Sequence, residues 1–149
     1  MSSLPFQEGD FVWCAFPERE NPAKPGPLHI AYSLAVSGVA LTSPPPSALM
    51  AYTASRQWAP DTPFPLGILA FNRAQAAIYG QSRAFVMDLR RIAFLPMTTA
   101  WFPYLDQSGS GVQGHAPKAD QRRFRQTAED LARRHRELVE RRGPGWPRG

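Results

Sequence analysis

Proton transfer beside a phosphate needs a group that takes a proton, a group that gives one, and fixed positive charge. Imidazole and carboxylate suit the first two tasks and guanidinium the third. His29 opens an apolar run, and Asp88 sits in Phe85-Val86-Met87-Asp88-Leu89 directly before Arg90-Arg91. Arg56 follows another strand-like segment. Each has a plainer reading. His29 could be a strand-edge histidine bonded to backbone, and Asp88 could pair with Arg90 or Arg91 at a strand end. The remaining histidines are weaker candidates, because His115 lies in a Gly/Ser-rich stretch and His135 falls on a helical apolar stripe, where it is expected to pack. No Cys or His pair has metal-ligand spacing, and no Gly-rich loop with a lysine leads from strand to helix, so neither metal nor nucleotide cofactor is expected. Cys14, between Trp13 and Ala15, reads as a packed strand thiol.

Prolines and glycines cut the first hundred residues into short pieces, which favours strands joined by rigid loops. Strands are expected over Gly9–Phe16, His29–Leu41, Ala48–Ser55, Gly67–Phe71, Ser82–Leu89 and Arg91–Leu95. Asn72 should cap a short helix, Arg73–Tyr79, that Gly80 ends. The expected fold is mainly β: a small antiparallel barrel over 1–105, a flexible linker over 106–116, a basic amphipathic helix over 117–142 and a loose tail over 143–149. Phe124, Ala128, Leu131 and Leu138 form that helix's apolar stripe.

The chain has 149 residues and one cysteine, enough for a domain with a core and no internal disulfide. Its N-terminus lacks a basic region before an apolar run, and Ile30–Leu41 is interrupted by Ser33, Ser37 and Gly38. Those features predict a cytoplasmic protein with no membrane partner. Residues 1–116 balance Arg19, Lys24, Arg56, Arg73, Arg83, Arg90 and Arg91 against Glu8, Asp10, Glu18, Glu20, Asp61, Asp88 and Asp106, so the net charge of +5 arises after them. Such asymmetry suits a polyanion partner; a solvated helix with paired charges is the plainer reading.

Several motifs occur in an order known from one family. Glu8-Gly9-Asp10-Phe11-Val12-Trp13 is similar to the opening turn and first strand of the MazF/PemK toxins. Phe16-Pro17-Glu18-Arg19-Glu20 and Lys24-Pro25-Gly26-Pro27 resemble the long loop that follows it. Ala51-Tyr52-Thr53-Ala54-Ser55 is similar to the third strand, with Thr53 matching the family's active-site threonine, and Asp88 matches an aspartate on a later strand. The chain departs at His29-Ile30, where the family has Arg-Pro, and at Val86, where some members carry an arginine.

The resemblance implies an SH3-like barrel that forms a homodimer, cleaves RNA without metal as a type II toxin, and is neutralised by an antitoxin, here expected to be acidic. On that basis His29, Asp88 and Thr53 are the candidate catalytic residues, and Arg56, Arg90 and Arg91 the candidate phosphate-binding ones. The His29 departure supports a second reading, a degenerate barrel that binds nucleic acid or a protein partner. A third is an interaction module docking a peptide on Trp58 and Trp101.

Overall fold

A computed structural model describes residues 4–38, 45–59 and 61–142, and for 137–142 the backbone only. The chain is mainly β, with six strands: β1 (Asp10–Cys14), β2 (His29–Ser37), β3 (Ser47–Ser55), β4 (Ile68–Phe71), β5 (Phe85–Pro96) and β6 (Val112–His115). They make one antiparallel sheet in the order β4-β5-β3-β2-β1-β6. Helix α1 spans Arg73–Ile78 and α2 spans Lys118–Arg142.

Local chemistry accounts for α1. The Asn72 side chain accepts from the Gln75 backbone N–H while the Gln75 side chain accepts from the Asn72 N–H, each at 2.8 Å, which satisfies two otherwise unpaired amides. Gly80 then adopts φ 76°, the left-handed conformation that ends a helix at little cost for glycine. At that corner the chain meets β6 so closely that a Cβ on Gly114 would lie 1.8 Å from the Tyr79 carbonyl oxygen. Gln81 adds a bond to the Gln113 carbonyl.

The sheet carries apolar packing on both faces. One core joins Phe11, Tyr32, Phe71, Phe85, Met87 and Leu89 to Ala76, Tyr79 and Phe124 of the helical side. Phe124 is fully buried, edge-on to Tyr32 with ring centroids 5.3 Å apart. The other core gathers Phe6, Val12, Cys14, Phe16, Met50, Leu95 and Phe102. Strand β5 serves both. Ala51 pairs with Ile92 but Tyr52 pairs with Asp88, so Leu89, Arg90 and Arg91 form a bulge. An odd insertion inverts which face a side chain takes, so Phe85, Met87 and Leu89 enter one core while Ala93 and Leu95 join the other.

Four expectations change. The sheet is not closed into a barrel: β4 and β6 remain its edges, and the Tyr79–Gln81 corner rather than a strand ladder stands between them. The segment expected as a linker, 106–116, supplies the turn Ser108–Gly111 and then β6, whose amides find partners on β1. The two strands expected over 82–95 are one strand with a bulge. His135 is exposed, unlike Leu131 one turn earlier, so the stripe leaves the core before it. The Leu138 side chain and the tail 143–149 lie outside the described residues.

Because Phe124 fills the space between α2 and the sheet, Phe124→Ala should lower unfolding stability in urea by about 3–5 kcal/mol. Leu131→Ala, at a partly buried position, should cost less. Equal, small effects of both would show that α2 is not anchored through Phe124.

Candidate functional site

The sequence candidates separate into two groups. His29 starts β2, and Thr53 and Ser55 end β3 beside it; together with Leu28, Trp13, Gln81, Arg83 and Gln113 they line an open cleft of about 580 Å³. A shallower hollow continues from it through the shared Ser55, Ser82 and Arg83 to Arg56 and Arg73. Neither lining contains a carboxylate among the described residues. Three guanidinium groups therefore set the local potential, with Arg56 also lying over the Phe64 ring at 5.6 Å.

Asp88, Arg90 and Arg91 belong to the β5 bulge instead. Asp88 accepts from the Arg90 backbone N–H at 3.0 Å and takes its guanidinium through Nε at 3.0 Å and a terminal nitrogen at 3.2 Å. Arg19 approaches the same carboxylate at 3.8 Å. Arg91 turns over Tyr52, 4.0 Å from the ring centroid, and bonds the Pro17 carbonyl at 3.0 Å. Asp88 thus holds the excess backbone of the bulge, and Arg91 is largely committed to packing.

His29 touches both groups. It lines the cleft while its ring lies 5.0 Å from that of Tyr52. Strand β3 separates it from Asp88, since Ala31 pairs with Tyr52 and Tyr52 with Asp88. Two inter-strand spacings amount to about 10 Å, too far for His29 and Asp88 to act together by direct contact. Partial burial holds the imidazole below its ordinary pKa of 6.5, and the Arg91 charge adds to that effect. His29 is therefore neutral at pH 7, the form that accepts a proton. The Thr53 hydroxyl donates to the Ile30 carbonyl and ties β3 to β2.

No protein-family model and no curated protein matches this chain.

Sequence reasoning missed Arg83 and Trp13 in the lining of the His29 cleft, and Arg73 in the hollow that continues it. A signal existed for Arg83, an arginine three residues beyond a helix-ending glycine and just before a strand. Only the register that places Ser55 opposite Phe85 shows that this arginine reaches the cleft. The remaining candidates are less suited to docking or attack. Trp58 and Trp101 are only partly exposed, Trp101 packing on the second core and Trp58 against Phe64. Burial pushes the Cys14 thiol up to about 12, which removes thiolate chemistry at neutral pH. Among the described residues, no three His, Cys, Asp or Glu side chains converge as a cation site.

The depressed histidine has a measurable consequence. By NMR, His29 should titrate below pH 6.5, and Arg91→Gln should raise its midpoint by removing the nearby charge. Because the unfolded chain binds this proton more readily, His29 should subtract stability progressively as pH falls through and below 6.5, and subtract nothing well above it. A midpoint above 6.5 would contradict the burial assigned to the ring.

Proposed function

We propose that the chain acts on RNA as a metal-independent endoribonuclease of the MazF/PemK toxin type, on an open variant of that family's SH3-like barrel. The supporting observation is a carboxylate-free cleft that brings His29 and Thr53 to the same place as Arg83, with Arg56 and Arg73 along its continuation. In this reading neutral His29 takes the proton from a ribose 2′-hydroxyl. The freed oxygen attacks the adjacent phosphorus, and the bond to the 5′-oxygen of the next nucleotide breaks. That oxygen leaves with a proton returned from imidazolium or water, and a cyclic phosphate remains. The arginines stabilise the charge that builds on phosphorus, Arg83 standing in for the arginine missing at position 29. The same reading carries a homodimer, an acidic antitoxin as partner and a cytoplasmic setting.

A second reading, an RNA-binding protein that does not cut, is favoured by one observation. Asp88 is held by Arg90 across the sheet from the cleft, and the Thr53 hydroxyl is already bonded, so His29 alone is placed to carry a proton.

The two readings separate when purified protein is incubated with mixed single-stranded RNA in EDTA. The nuclease reading expects cleavage, a fall of about 100-fold to 10,000-fold for His29→Ala, and a loss on the order of 100-fold for Arg83→Gln. Asp88→Asn should act chiefly on stability. Salt-sensitive binding without cleavage would move the assignment to the second reading, and neither binding nor cleavage would remove both.

A further inference from the structure

The basic helix forms one wall of a second cleft, farther along β6 from the first. Gln113 lines the first cleft, and His115, two residues along the same strand, lines the second with Gln7, Glu8, Val36, Lys118, Gln121, Arg122 and Arg125. Along an extended strand that step is about 7 Å. Its wall is rigidly held. His115 Nδ1 lies 2.6 Å from the Asp10 carboxylate and its Nε2 lies 3.2 Å from the Gln121 amide, which also bonds the Ala116 carbonyl at 2.7 Å. Gln121 is buried, so strand β6, the β1 turn and the start of α2 are locked in one geometry.

The charges in this cleft are unevenly satisfied. Glu8 pairs with Arg125, while Asp120 accepts from the Tyr79 hydroxyl and faces Arg123. Lys118 and Arg122, one helical turn apart, are exposed and have no ion-pair partner among the described residues. The partner's chemistry follows from the rest of the helix. Phe124, Ala128 and Leu131 face the core, and no large apolar side chain is exposed on α2 among the described residues, so none of these is free to enter a lipid layer. Free cations without exposed apolar neighbours suit a phosphate backbone.

We propose that Lys118 and Arg122 form a second phosphate-binding site, which carries an RNA strand from the His29 cleft along β6 to helix α2. This inference rests on the RNA reading above. It adds that strand length matters: RNA too short to reach along β6 from one cleft to the other engages the first cleft alone.

The test uses fluorescence anisotropy of the full chain with non-cleavable 2′-O-methyl RNA of about 2 and about 20 nucleotides. Lys118→Gln with Arg122→Gln should leave the short RNA unaffected and weaken the long one by on the order of tenfold. The long RNA's salt dependence should become shallower by about 1.4 in log–log slope, two phosphate contacts fewer. An unchanged thermal midpoint is expected, since both side chains are exposed. Unaltered binding of the long RNA, or equal losses for both lengths, overturns the second site. If Arg83→Gln weakens short RNA while the double variant changes nothing, only this inference fails; if the wild-type chain binds neither RNA, the RNA reading fails with it. Loss of binding to phosphatidylglycerol vesicles, with RNA binding intact, would assign the patch to a membrane surface and also overturn the proposal.

Discussion

The bulge in β5 is the feature on which the remaining geometry depends. Leu89, Arg90 and Arg91 are surplus to the pairing with β3, and the Asp88 carboxylate gathers that surplus through the Arg90 backbone and guanidinium. Continuing the pairing of Ala51 with Ile92 would set Tyr52 opposite Arg91 and Ser55 opposite Asp88. The bulge instead sets Ser55 opposite Phe85, which brings Arg83 to the mouth of the cleft. It also lets one strand feed two cores. A smaller shift between Ser33 and Ala35 does the same for β2, where Tyr32 and Leu34 face the helical core and Val36 faces the other.

The positive charge of the cleft follows from where the carboxylates are used. Asp88 is spent on the bulge, Asp10 on His115, Glu8 on Arg125 and Asp120 on Tyr79. Each anchors an element boundary, and none lines the His29 cleft. Pairing acids at structural joints leaves Arg56, Arg73 and Arg83 free to act on a ligand, with no ion-pair partner among the described residues. The result is a positive surface on a segment, residues 1–116, whose formal charges cancel.

Much of this was legible from residue order. The short apolar runs of β1 to β4 between turn residues, Asn72 as an N-cap and the Phe124–Leu131 spacing are local patterns, and the elements they imply are present. The register within β5 was not legible, since a break at Arg90-Arg91 looks the same whether two strands or one bulged strand result. Strand β6 was hidden for a related reason: Val112-Gln113-Gly114-His115 has little β preference alone and is a strand because β1 offers it hydrogen bonds and Gly114 admits the Tyr79 carbonyl. His29 and Thr53 were singled out by position, whereas the arginines that line the same cleft and its continuation follow from long-range register.

The account's central claim is that the arginines lining the cleft and its continuation, Arg83 with Arg56 and Arg73, rather than those of the bulge, meet the phosphate. Side-chain Nε–Hε NMR spectra recorded while a non-cleavable short RNA is added test this most directly. The account predicts that the Arg83 resonance shifts with saturation, Arg56 and Arg73 with it, while Arg90 and Arg91 stay in place in their contacts with Asp88 and Tyr52. Shifts confined to Arg90 and Arg91, with Arg83 unmoved, would contradict it.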